Sequence, residues 1–260
     1  MRLLAIGDVC SDLGCETVRK ILPALKKEKR IDAVVINGEN SAVGNGITPY
    51  SAECLFMYGA DVITGGNHSL RRKEIYPVLE SNPMLLRPDN LPDAQFGSGY
   101  CLADFGAFTM AVINLSGTIY LEKLGALNPF HSADKLIDRA LEDNANIIIV
   151  DFHAEATSEK KALALYLDGK VSAFFGTHTH IQTADEQILP KGTGYITDLG
   201  MTGPKNSVLG VKSEIIINRL KDGDMSKFES ADGECMLNGC IFEIDNATGK
   251  TVSVERIYIE

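Results

Sequence analysis

No apolar run in this chain approaches the roughly 18 residues that a membrane-spanning helix needs, so no membrane partner is expected. Positive charge is also scarce: 25 Lys and Arg against 35 Asp and Glu leave a formal net charge of -10. Extended binding of DNA or RNA depends on neutralising many phosphates, so this balance argues against a long nucleic acid as partner. A small anion remains compatible wherever local positive charge outweighs the field of the whole molecule. The six cysteines (Cys10, Cys15, Cys54, Cys101, Cys235, Cys240) contain no C-x-x-C pair, which fits reduced thiols better than a disulfide framework. The Cys10/Cys15 and Cys235/Cys240 pairs lack the spacing and partners of a zinc site. The opening MRLLAIGDVC meets Gly and Asp too early for a signal peptide, and a cytoplasmic protein is expected. With no internal repeat, no low-complexity segment and no long linker, 260 residues at 45% hydrophobic content suggest a single domain over 1–260.

Five short apolar segments, RLLAI, DAVVI, DVIT, NIIIVDF and VSAFF, have the length and aliphatic content of buried strands. CETVRKILPALKKE, TPYSAECLFMYG, SADKLIDRALEDN and TSEKKALALYLDG place apolar residues at helical spacing between them. Thr48-Pro49 supplies a cap and a first-turn proline, Gly59 a stop, and Ser132 and Thr157 are further candidate caps. Strands separated by helices predict α/β units with parallel pairing. GYCLADFGAFTMAVINL and CIFEIDNATGKTVSVERIYIE instead predict antiparallel hairpins, so the sheets are expected to be mixed.

The informative residues follow the parallel-type strands. RLLAI is followed by Gly7-Asp8, DAVVI by Asn37-Gly38-Glu39-Asn40, and DVIT by Gly65-Gly66-Asn67-His68. NIIIV leads into Asp151-Phe152-His153, and VSAFF into Gly176-Thr177-His178-Thr179-His180. Parallel strands of one sheet present their C-terminal ends on one edge, where open α/β sheets place ligands. That edge would receive carboxylates, amides and four of the chain's five histidines. A lone Asp after a strand is usually a turn residue and a lone buried His usually a hydrogen-bonded core group. Five such strand ends together point to a site. Oxygen and imidazole donors without thiolate suit manganese, iron or zinc, and His-x-His on an extended segment lets one ring serve each of two metals.

These motifs resemble those of the calcineurin-like metallophosphoesterases, which carry D-x-H, GD, GNH followed by Asp or Glu, a lone His, and GHxH at successive strand ends. The resemblance is nearer to their YmdB-like bacterial branch, through GDV, NGEN, GNH, DFHAE, GTHTHIQTADE and YITDLGMTGP, and runs from Asp8 to about Val211. It implies an α/β class fold, a four-layer α/β/β/α sandwich with two mixed β-sheets. It also implies an enzyme, a metal-dependent phosphoric diester hydrolase acting on small phosphodiesters such as 2',3'-cyclic or 3',5'-cyclic nucleotides. Carried over residue by residue, it assigns Asp8, Glu39, Asn40 and His180 to one metal and Glu39, Asn67, His153 and His178 to the other, with Glu39 bridging. Cys10 stands where D-x-H would place a histidine, Glu39 replaces the usual bridging aspartate, and Ser69 follows His68 where an acid is usual.

The expected cofactors are two divalent or mixed-valence ions, iron or manganese with zinc as the alternative. A hydroxide held between ions roughly 3.5 to 4 Å apart would attack phosphorus in line. His68, with no ligand role, is the expected catalytic residue, protonating the leaving oxygen or stabilising the phosphorane; its alternative is a supporting hydrogen-bond donor. Arg71, Arg72 and Lys73 could reach a phosphate or simply form a solvated helical turn; Thr183, Asp185 and Glu186 could support the ligands; Glu155 could orient His153 or begin a helix. His131 is expected outside the cluster. Rival readings are a phosphomonoesterase or nucleotidase, a nucleotide-binding regulatory protein with little turnover, and an RNA-cleaving nuclease. A homo-oligomer is compatible with the sequence.

Overall fold

Alternation along each strand decides which side of its sheet it serves, and the two sides here bury different partners. In chain order the first elements are β1 (Arg2–Ile6), β2 (Asp8–Val9), α1 (Ser11–Lys29), β3 (Ala33–Asn37), α2 (Pro49–Met57), β4 (Val62–Thr64) and α3 (Tyr76–Ser81). Then come β5 (Tyr100–Asp104), β6 (Thr109–Ser116), α4 (Pro129–Glu142), β7 (Ile147–His153), α5 (Thr157–Leu167) and β8 (Ala173–Thr177). The chain closes with β9 (Gln187–Ile188), β10 (Gly194–Ile196), β11 (Met201–Pro204), α6 (Ser213–Asp222), β12 (Cys235–Ile244) and β13 (Thr251–Ile259). The computed structural model describes residues 1–92 and 96–260. Among these residues no helix is long and apolar enough to cross a membrane.

One sheet has seven strands, ordered β2-β11-β12-β1-β3-β4 with β13 also paired to β12; the other has six, ordered β5-β6-β7-β8-β10-β9. β1, β3 and β4 are parallel, as are β6, β7, β8 and β10, while β5–β6 and β12–β13 are the antiparallel hairpins expected from sequence. Leu3 and Ala5 of β1 pack between the sheets with Val112, Ile149, Phe175 and Phe242, whereas Leu4 and Ile6 pack outward with Val18 and Leu22 of α1 and Leu55 of α2. On the far side Ile148, Val150 and Phe152 meet Leu136 and Ile137 of α4 and Leu163 and Leu167 of α5. The result is the four-layer α/β/β/α sandwich with two mixed sheets. At about 25 cal/mol per Å² of apolar area removed from water, the layer between the sheets is what holds the two halves of the site together.

Local signals held at some ends and not others. Thr48 and Ser51 form a reciprocal capping box with Pro49 in the first turn of α2, and Gly59 just beyond has φ +114°. α4 begins earlier than Ser132, at Pro129, because the Asn128 side chain accepts from the Phe130 N–H and proline suits the first helical position. Thr157 is already helical, behind Ala156, which makes no side-chain cap. α6 stands apart from the layers: it buries none of its residues.

Candidate metal centre

The five polar strand ends come from both sheets and not, as the strand pattern suggested, from one. β2 and the ends of β3 and β4 supply Asp8, Glu39, Asn40, Asn67 and His68 from the first sheet; β7 and the end of β8 supply His153, His178 and His180 from the second. Parallel strands of either sheet look alike in sequence, so nothing local separates them. Asn37 at the end of β3 ties the rims together by donating to Asp151 of β7 at 3.0 Å and to the Thr177 hydroxyl of β8 at 3.3 Å.

All eight residues meet at this rim. Glu39 Oε1 accepts from Asn40 Nδ2 at 2.8 Å and lies 3.2 Å from His68 Nδ1 and 3.4 Å from His153 Nε2; Oε2 accepts the His68 backbone N–H at 2.9 Å. His153 Nε2 lies 2.8 Å from Asn67 Oδ1 and 3.0 Å from His178 Nδ1. Donor atoms of Glu39, His153 and His178 all fall within 4.8 Å of one another. Asp8 Oδ1 lies 3.7 Å from His180 Nε2 and 3.8 Å from His153 Nδ1, while Oδ2 accepts the His178 N–H at 3.2 Å. Gly66 leaves the space this requires: a Cβ there would sit 2.3 Å from both Glu39 Oε2 and His153 Nε2.

This set fits a cation. Asp8 Oδ1 is buried with no hydrogen-bond partner, an arrangement that is costly for an oxygen with nothing to bind. Burial raises the Asp8 carboxyl above its usual range, against the pull of His180 and His153. Burial also opposes ionisation of Glu39, yet His153 and His68 hold it well below the usual carboxylate range. For His180 burial resists the charge, but Cys10, Asp8 and Glu39 raise it to about 10. Burial and His153 lower His178 to about 3. The cluster thus concentrates negative charge in a buried place, and His153 and His180 are drawn to compensate while His178 is driven to stay neutral.

Outer contacts fix which ring nitrogen is free. His153 Nδ1 meets the Thr177 hydroxyl at 3.0 Å, and that hydroxyl donates to Asp151 Oδ1 at 2.7 Å. Asp151 also accepts from Thr64 and Asn37, and its burial pushes its carboxyl up to about 6. Glu155 lies 3.0 Å from His178 Nε2, so it orients His178 and not His153. His180 Nδ1 is 3.7 Å from Cys10 Sγ, the thiol that replaces the histidine of the wider motif. Ser69, where an acid was expected, accepts the Gly66 N–H at 2.8 Å and closes the turn, while Glu39 takes over as the acidic neighbour of His68.

Asp198, in the YITDLGMTGP segment, has no local signal of a role, and its contacts are extensive. Asp198 Oδ2 accepts from the Thr179 hydroxyl at 2.7 Å and its N–H at 3.2 Å, between the two histidines, while Oδ1 accepts the Gly200 N–H at 2.8 Å. Lys160, fully buried in α5, donates to the same carboxylate at 2.6 Å. Lys160 lies near the start of α5, and no local pattern pairs it with a residue 38 positions later. Thr183 and Asp185 brace this loop through Asp198 and Thr197, Glu186 instead lies 3.4 Å from Arg256, and Arg72 donates to the carbonyls of Val43 and Asn45. His131 is exposed on α4, away from the cluster.

A cavity of about 980 Å³ opens over the cluster. Glu39, Asn40, His68, His178 and His180 line its floor, and residues 208–211, Ile216 of α6 and residues 227–230 also line it.

Two mixed sheets clasping a rim of carboxylate, amide and imidazole donors define a metallophosphoesterase. A family model for YmdB-like protein matches residues 4–257, and the chain belongs to that family. A 2',3'-cyclic-nucleotide 2'-phosphodiesterase of Bacillus subtilis (strain 168) is 46% identical over 259 residues, spanning 100% of this chain and 97% of its own. A solved structure of a novel phosphatase from Mycoplasma pneumoniae superposes with a TM-score of 0.93 at 36% identity, covering 100% of this chain and 93% of its own. The fold extends further, to a 5'-nucleotidase precursor from Thermus thermophilus with a TM-score of 0.62 at 12% identity, covering 100% of this chain and 54% of that one.

Proposed function

We propose that the protein is a metal-dependent phosphodiesterase that opens 2',3'-cyclic nucleotides, with two ions held at the sandwich rim. The observation that carries this is the convergence of Glu39, His153 and His178, joined by Asn67 at His153, by Asn40 at His180, and by Asp8, whose unpartnered Oδ1 lies near His153 and His180. The substrate reading draws on the 46% identical relative. Asp8, Glu39, Asn40 and His180 would hold one ion, and Glu39, Asn67, His153 and His178 the other, with Glu39 common to both. Oxygen and nitrogen donors favour iron or manganese, with zinc the alternative. When bound, such ions polarise the phosphoryl group and acidify a water as nucleophile.

The chain's own residues do the rest. Thr177 occupies Nδ1 of His153, Glu155 occupies Nε2 of His178, and Cys10 lies against Nδ1 of His180, so each ring turns its other nitrogen inward. Among the ligands only Asp8 and Glu39 carry full negative charge, so the loaded site stays cationic towards a phosphodiester anion. His68 lies beside the cluster, half-buried on the cavity floor, with Nδ1 3.0 Å from Asn40 Oδ1. It passes a proton to the departing sugar oxygen.

Chelation should abolish turnover of 2',3'-cyclic AMP, and manganese or iron should restore it, with para-nitrophenyl phosphate a much poorer substrate. A chelated protein that still turns over the cyclic nucleotide, or a strong preference for the monoester, overturns the reading.

The protonation of His180 adds a pH signature. Its folded-state value, raised to about 10, means that the stability it contributes is complete below its unfolded value near 6.5 and is lost as pH rises towards 10. His180 would give up that proton on holding a metal. Metal-free protein should therefore lose stability between about pH 6.5 and 10, while added metal stabilises it more at the upper end. Denaturant titrations with and without metal across that range check this; a metal increment that shrinks with pH contradicts it.

A further inference from the structure

The cavity is two-sided in chemistry, and the cluster accounts for one side only. The same cavity is also lined by Val43, Val208, Leu209, Ile216 and Phe228. Val43 is 57% exposed, Leu209 44% and Phe228 52%, all on this one cavity. A phosphate group has no use for such a wall. Phe228 is also held: the Arg219 guanidinium of α6 sits 4.0 Å from its ring centroid and donates to the Ser226 carbonyl at 2.6 Å. An exposed aromatic ring backed by an anchored cation is a rigid platform for a flat π-system.

We infer that Phe228, backed by Arg219, is the stacking surface for the nucleobase of the substrate whose phosphate sits at the cluster. This rests on the phosphodiesterase reading and deepens it. The occupant follows from continuity, since the platform and the donor floor line the same cavity, and from its volume of about 980 Å³, ample for a nucleotide. Stacking is tolerant of base identity because every base offers a π-face, so the platform selects nucleotides over small cyclic phosphates without choosing strongly among bases.

The test compares kcat/KM for 2',3'-cyclic AMP with that for glycerol 1,2-cyclic phosphate, which keeps the five-membered phosphodiester and lacks a base. Phe228→Ala should lower the ratio of the two roughly tenfold, through KM for the nucleotide, as loss of one base–aromatic stack implies. Phe228→Tyr should hold the ratio within about twofold, since its ring still stacks. An unchanged ratio in Phe228→Ala overturns the inference, whether both substrates are unaffected or both fall together. Wild-type protein inactive on both substrates overturns the phosphodiesterase reading itself.

Discussion

Glu39→Gln should lower kcat/KM for a phosphodiester by more than about 100-fold, because changes merely to outer partners of a metal ligand already cost 10- to 100-fold. Both carboxylate oxygens are in use. Oε1 takes the Asn40 amide and faces two imidazoles, and Oε2 takes the His68 N–H. A glutamine is the same size but neutral, and its amide must point its NH₂ at one of those two donors. Metal content should fall with activity. The fold should persist because glutamine keeps the volume of the side chain, but the chelated variant should melt below chelated wild type, since His153 and His68 lose the charge they hold in the metal-free protein. Full turnover by Glu39→Gln, with normal metal content, defeats the shared-ligand role.

Lys160→Met should be strongly destabilising. Removing one partner of a buried ion pair costs about 3–5 kcal/mol because the other charge is stranded. Lys160 and Asp198 are 0% and 1% exposed and 2.6 Å apart. For a chain of this size that corresponds to a fall in Tm of roughly 6–20 °C. Adding Asp198→Asn to Lys160→Met should recover part of it, since the stranded charge disappears. Activity should fall in both variants, as Asp198 also anchors Thr179 between His178 and His180. Thermal melts within a few degrees of wild type in the single variant run against this account.

The sequence makes the donors legible and their supports mostly invisible. Asp8, Asn67 and His153 stand out because each follows a short aliphatic strand, and a strand end is a local signal. That β7 and β8 face β1, β3 and β4 across the sandwich is not local: it depends on the β5–β6 hairpin opening a second sheet, and the core side of Ile149 or Phe175 looks the same in either arrangement. Lys160 shows the other limit. Its partner lies beyond β8, and the room for its stem comes from Gly176, where a Cβ would sit 2.8 Å from Lys160 Cδ. Glu155 lies only two residues after His153 but meets His178, because β7 ends at His153 and the path of the chain beyond it, set by the fold, decides which neighbour is reached.

His178 and His180 both have left-handed backbones, at φ +100° and +64°. Such conformations cost an L-residue about 1–2 kcal/mol each, and they persist only where surrounding contacts impose them. Glycine would relax either position and contribute nothing to the cluster. The protein therefore sustains a permanent thermodynamic deficit at both histidines, and the Lys160–Asp198 anchor, through Thr179 between them, keeps the loop cocked in that shape. Selection for robustness alone would erode this loop first.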